Sequence, residues 1–383
     1  WGLMTAFCGL ARSFPQLFVA RMGDGFGEAA LTPTAYAMVA DLFPPHRLAK
    51  AMSVFALGGI AVGGGMSLIF GGMVIGYVNE VGSLTLPWLG EIAAWQAVLM
   101  LVGGLTLLMI IPLSLMPEPK RHEGKTTVTG KLGDNNTPAA DTQKQSFKYV
   151  LDYIWQNKAF YGFFFIGMSV INLYSYGVAS WIPSYFIRVY EWEASTAGIT
   201  LGLLYIPAAI VGGLGGGILA DRFYAKGYTT APLLLKAIAV ALLVILIPLF
   251  IMTQWMPAKL IFMTLASLAA AVSTVLSPTI IQLATPNRIR SQVSAIYLLV
   301  VNLVGLGFGP TVVALITDYG FQDEMAVGKS IMVTAVVACS LGAFLLFKAI
   351  NPFREQLENV MGTDTNTDTF DTSTTDNPIS QQP

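Results

Sequence analysis

The chain has 383 residues, 54% of them apolar and 11% charged, with a formal net charge of -1 and a mean hydropathy of +0.64. A soluble domain carries about 25% charged residues, so the composition excludes an ordinary soluble protein and points to a polytopic membrane protein. The near-zero net charge gives no reason to expect nucleic acid as a partner.

In chain order, the first apolar run, residues 1–11, is about half the ~20 residues a span needs, and no basic-then-apolar signal segment opens the sequence. The sequence therefore reads as starting inside a helix. Arg12 and a Ser13-Phe14-Pro15 turn lead into a second apolar stretch over about 16–43, which carries Arg21, Asp24 and Glu28. Their spacing of i, i+3 and i+7 stacks the three on one helix face, and Thr32 continues it. Gly23 and Gly27 fall on the opposite face, a small-xxx-small seam where another helix can approach closely. A charge at mid-bilayer costs roughly 2.5–3.5 kcal/mol on insertion scales, so the stripe needs a partner or a solvated cavity. One cation shared by two carboxylates gives the trio a reason to hold a proton. The alternative for Asp24 is simple neutralisation of Arg21.

Further apolar stretches are expected near 49–78, 93–115, 159–188, 197–220, 231–252, 258–285, 290–317 and 328–350, which with the first two makes ten spans. The stretch near 49–78 is rich in glycine, and the loop after it contains Pro87 and Trp88. The polar segment 117–147 has no periodicity and reads as a linker. The Thr/Asp/Asn-rich end, 355–383, reads as a disordered tail. The expected units are 1–116 and 148–354, each a helical bundle. Basic residues alternate between loops: Arg47 and Lys50, Lys120 to Lys148, Arg222 and Lys226, Arg288 and Arg290, then Lys348 and Arg354 on one side, with Arg12, Arg188, Lys259 and Lys329 on the other. The positive-inside rule then puts the linker and the tail in the cytoplasm. Thr32-Pro33-Thr34, Pro45-His46-Arg47 and Ser53 recur as Ser277-Pro278-Thr279, Pro286-Asn287-Arg288 and Ser294, which suggests a parallel duplication of a bundle. Cys8 and Cys339 lie in apolar segments and are expected as free thiols.

This order of elements resembles the major facilitator superfamily. The stretch from Arg21 to Ala29, R-x-x-x-G-x-G-E-A, is similar to its spinster-like branch. Asp41-Leu42-Phe43-Pro44 with Arg47, Glu118-Pro119-Lys120-Arg121, Gly217 to Arg222, and Trp181 to Phe186 continue the resemblance. It implies an all-α membrane fold of two pseudo-symmetric six-helix bundles with substrate between them. By that template about ten of twelve helices are present, with helices 1–2 and the start of helix 3 preceding residue 1. It also implies an alternating-access secondary transporter, coupled to protons, for an organic anion or an amphipathic lipid-like substrate, in a bacterial inner membrane and monomeric. Two departures stand out: Asp24 occupies a usually apolar position, and Ser67-Leu68 stands where many antiporters have Gly-Pro.

Arg21, Asp24 and Glu28 are the expected substrate and proton-coupling residues. Thr32, Tyr36, Asn172, Tyr174, Tyr176, Trp181, Tyr185, Tyr205, Gln282, Tyr297 and Asn302 are cavity candidates as a set, since a single Tyr or Trp is more often packing or an interfacial anchor. Asp41, Arg47, Asp221 and Arg222 are expected to gate. No cofactor is expected. Gly124-Lys125-Thr126 lacks the glycine a phosphate loop requires, and Gly23-x-Gly25-x-Gly27 is followed by Glu28 and preceded by no strand. His46 and His122 have no metal-ligand spacing around them, and no nucleophile–base arrangement points to an enzyme. The rivals are a sugar- or drug-type exporter, or a membrane scaffold or sensor in which packed partners neutralise the charged stripe.

Overall fold

The computed structural model describes residues 1–28, 31, 57–81, 84–86, 90–115, 147–286 and 289–369. Nearly all of them are helical, as lipid demands of a backbone that must satisfy its own hydrogen bonds. Among the described residues, seven helices are long and apolar enough to cross a membrane. Large apolar side chains such as Ile245, Leu299 and Val337 are more than half exposed on these helices, the pattern of a surface meant for acyl chains rather than water.

The chain forms two compact units, Trp1–Asp141 with Glu191–Ile206, and Thr142–Tyr190 with Pro207–Pro383. The first contains α1 (Gly2–Gly9), α2 (Phe14–Glu28), a π turn over Gly58–Gly63 running into α3 (Gly64–Val81), then α4 (Ala94–Leu108) and α5 (Ile110–Ser114). Glycine decides how closely these helices approach. A Cβ on Gly27 would stand 2.7 Å from the Trp1 nitrogen, and one on Gly23 2.8 Å from the Met4 sulfur, so α1 occupies the seam expected on α2. Between α3 and α4 the structure adds an element the sequence reading placed in a loop. Strands β1 (Leu84–Leu86) and β2 (Gly90–Ile92) pair antiparallel with Thr85 opposite Glu91. Gly90 begins β2 with φ +73, which a glycine adopts without a steric penalty.

Helix α8 (Ala194–Ala225) belongs to both units, its first half to one and its second to the other, and the division falls at Pro207 inside the helix. In the first half, Gly198 packs on α3, where a Cβ on Gly72 would stand 2.9 Å from the Gly198 Cα. The sequence-based units, by contrast, assign the whole of this helix to the second bundle.

The second unit holds α6 (Phe147–Gln156), α7 (Lys158–Tyr190), the rest of α8, α9 (Ala231–Met252), α10 (Met256–Ala284), α11 (Arg290–Leu315) and α12 (Val327–Thr369). A cluster of Phe160, Phe164, Tyr297 and Phe353 fills its core, with ring centroids 5.3–5.8 Å apart. Between helices in a bilayer such van der Waals contact replaces the hydrophobic drive available in water. Helix α12 continues through residue 369, past 355, where the tail is expected to begin. Burial explains the extension: Gln356, Leu357 and Val360 are covered, and Gln356 donates to the Tyr153 hydroxyl and to the Ala284 carbonyl. Tyr153 lies on α6, and burial raises its phenol above the ordinary value, keeping it protonated. Tyr161 adds bonds of 3.1 Å to the Ala284 carbonyl and 3.0 Å to the Thr285 hydroxyl, completing a polar knot at the end of α10. Cys8 and Cys339 are buried free thiols, as expected.

Candidate functional site

In the first unit, α2 holds Arg21 and Asp24 one turn apart. Their side chains meet at 3.2 Å, with the guanidinium 53% exposed and the carboxylate 15%. The Thr5 hydroxyl of α1 donates to the other Asp24 oxygen at 2.7 Å. Asp24 thus neutralises Arg21 and is itself held by a second helix. Glu28 is exposed one turn further on and forms no ion pair among the described residues. Thr32, Tyr36, Asp41 and Arg47 lie outside the described residues.

In the second unit, a cavity of about 200 Å³ opens among α7, α10 and α11. Asn172, Tyr176, Tyr297 and Asn302, four of the expected set, line it together with Ser273, Thr274 and Ser277. The Tyr176 hydroxyl donates to the Asn302 side-chain oxygen at 3.3 Å, linking α7 to α11 across the cavity. The Asn172 amide is anchored to the Met168 carbonyl at 2.9 Å. Small residues position this wall, because Gly305 lets α11 approach the Asn172 and Tyr176 side of α7.

The other expected cavity residues stand elsewhere. Tyr174 is buried in packing. Trp181 donates from its indole nitrogen to the Pro310 carbonyl at 2.9 Å, with Arg188 over its ring. Tyr205 packs on Gly64 in the first unit, and Gln282 is exposed. Asp221 and Arg222 are exposed in the last turn of α8, without an ion-pair partner among the described residues.

Two buried lysines were not among the expected site residues. Lys259, counted above as a loop residue, is fully buried in the first turn of α10. It donates to the Tyr185 hydroxyl at 2.9 Å and to the Phe250 and Ile251 carbonyls at 2.8 and 3.0 Å. The rings of Tyr185, Tyr190 and Phe250 surround it at 5.3–5.4 Å, so aromatic faces stabilise the charge. This cage caps the last carbonyls of α9 and gives Tyr185 a structural task. Lys236 is also fully buried, near the start of α9. It donates to the Ser273 carbonyl, to the Ser273 hydroxyl at 3.0 Å and to the Ser277 hydroxyl at 2.7 Å. The signal that finds it in sequence is a single charge inside the apolar run 231–252, which is a functional candidate by default.

Among the described residues, no group of His, Cys, Asp or Glu is arranged to hold a metal ion. The family model described as Major Facilitator Superfamily matches residues 1–310. The chain belongs to the Major Facilitator Superfamily. It is an integral membrane protein, and the superfamily's members are transporters of small molecules. An "MFS-type efflux pump" of Mycolicibacterium smegmatis is 25% identical to it over 93% of this chain and 76% of the relative. The benzoate transport protein of Acinetobacter baylyi is 26% identical over 63% of this chain and 52% of the relative. Among solved structures, an inward-facing bacterial homolog of the human lysosomal transporter Spinster matches with a TM-score of 0.68. Its identity is 21%, over 93% of this chain and 82% of that one. The expected spinster-like resemblance is met at the level of the fold.

Proposed function

We propose that the chain works as a proton-coupled secondary transporter by alternating access and carries an organic anion or an amphipathic, lipid-like substrate. The observation behind this reading is the stripe on α2: a half-exposed guanidinium bound to one carboxylate, with a second carboxylate exposed one turn beyond. Arginine pairs well with a carboxylate or a phosphate. An anion arriving at Arg21 competes with Asp24 for that cation and leaves two carboxylates with less compensation. Their affinity for a proton then rises, so proton and anion bind in mutual favour, which is the linkage symport requires. The benzoate specificity in the name of the Acinetobacter relative supports an anionic substrate. The efflux-pump relative supports a second reading, a sugar- or drug-type exporter.

Asp221 and Arg222 serve the gate in this reading, and the linker and tail face the cytoplasm of a bacterial inner membrane. The test is pH-gradient-driven uptake and equilibrium binding of benzoate and lysophosphatidate by the full-length protein in proteoliposomes. Glu28→Gln retains binding and loses accumulation, and Arg21→Ala loses binding. Accumulation by Glu28→Gln at the wild-type level removes Glu28 as the proton carrier. Preferential uptake of neutral or cationic compounds favours export instead.

A further inference from the structure

Lys236 has no exposed surface, and its side-chain nitrogen donates only to neutral oxygens of Ser273 and Ser277. Among the described residues no carboxylate comes within ion-pair distance of it. A buried cation compensated only by dipoles is expensive unless an anion approaches it. The two serines that hold it also line the cavity, with Asn172, Tyr176 and Asn302 on the facing helices. Each serine thus both accepts from Lys236 and lines the cavity. A hydroxyl that accepts from a cation becomes a stronger donor. Its hydrogen can rotate towards whatever stands in the cavity; for Ser277 this means giving up the bond it donates to the Ser273 carbonyl at 3.1 Å.

We propose that this cavity is an anion subsite whose positive charge comes from Lys236 through the hydroxyls of Ser273 and Ser277, and that it takes the carboxylate or phosphate of the substrate at a different step of transport from Arg21. The inference deepens the anion-transport reading and rests on it. Lys236 touches no ligand and acts as a positioning and polarising residue, while the serines make the contact. The cavity is smaller than the ~300–1,000 Å³ that encloses a drug-sized ligand, so it accommodates a headgroup or a small acid and leaves acyl chains outside. Lys259 provides the contrast: its charge is spent on an aromatic cage and two helix-end carbonyls, and it does not line this cavity. The serine involved begins Ser277-Pro278-Thr279, the copy of the repeated motif that lies within the described residues, so the repeat acquires a chemical task at this end.

The experiment is binding by titration calorimetry and by thermal shift on the full-length protein. It uses two matched pairs of probes: benzoate with neutral benzamide, and lysophosphatidate with neutral monoacylglycerol. The wild type is expected to prefer the anion of at least one pair, and the pair preferred separates a carboxylate from a phosphate. Lys236→Met is expected to weaken that anion at least tenfold while leaving its neutral partner within twofold. Ser277→Ala has a smaller effect in the same direction. Lys236→Met binding the anion as the wild type does overturns the subsite and leaves anion transport standing. Equal loss of charged and neutral probes also overturns it, since that is the mark of a purely structural residue. A wild type with no preference for either anion overturns the transport reading and the subsite together. If Lys236→Met does not yield a folded protein, Ser273→Ala and Ser277→Ala decide, and an unchanged anion preference in both overturns the proposal.

Discussion

Gly177 of α7 and Gly309 of α11 meet backbone to backbone: a Cβ on Gly177 would stand 2.9 Å from the Gly309 carbonyl oxygen, and one on Gly309 3.0 Å from the Gly177 nitrogen. This contact sets the separation of the helices that carry Asn172, Tyr176 and Asn302. Gly309→Ala therefore spreads the cavity wall, with the 1–3 kcal/mol cost typical of overpacking. Gly307→Ala is the control, because nothing lies within 4 Å of its added methyl. Thermal unfolding of the purified protein should fall for Gly309→Ala and hold or rise for Gly307→Ala.

Asp24 occupies the guanidinium that the proposed substrate needs. Asp24→Asn should therefore raise the affinity for benzoate or lysophosphatidate several-fold in a direct binding assay. The pair is partly solvated, so the loss of stability should stay below about 1 kcal/mol. Weaker anion binding in this variant would remove Arg21 as the anchor.

The two buried lysines should separate cleanly. Lys259→Met leaves the Phe250 and Ile251 carbonyls and the Tyr185 hydroxyl without their donor, a loss on the order of 1–3 kcal/mol for each group left unsatisfied. Its melting temperature should drop while the preference for charged over neutral probes is unchanged. Lys236→Met should instead lose the preference for the charged probe, whatever its melting temperature.

Gln356→Leu removes the amide that reaches both the Tyr153 hydroxyl and the Ala284 carbonyl. The expected destabilisation is again about 1–3 kcal/mol, measured by denaturation in detergent, although Leu is a good helix former.

For Asp221→Asn the gating proposal sets turnover against binding. A residue that biases conformations without touching substrate should slow exchange while leaving the dissociation constant nearly unchanged. Wild-type exchange rates in proteoliposomes would remove it from the gate.

Much of the architecture was legible because bilayer physics writes it into composition. Apolar runs gave the helices, and the Gly23 and Gly27 seam gave a helix contact that α1 fills. The division of α8 at Pro207 was hidden, since a continuous apolar run carries no mark of which neighbours its two halves choose. The strand pair of 84–86 and 90–92 was hidden because its strands are three residues each, too short for periodicity to register. Asn172, Tyr176, Tyr297 and Asn302 could be placed on cavity-lining helices, whereas Tyr185 could not be separated from them until Lys259 was seen beneath it. Hydropathy averaging hides Lys236 for the same reason that it finds the helix around it.

The knot at the end of α10 also has a consequence for how the protein is made. Tyr161 and Ala284 leave the ribosome well before Gln356, which follows Ala284 by 72 residues. At ~5–20 residues per second, the Ala284 carbonyl waits roughly 4 to 14 seconds for its second donor. Until then the end of α10 lacks its contact with α12, and of these two donors only the Tyr161 hydroxyl holds it. Closing of this knot therefore marks the point in biosynthesis at which the unit is finished.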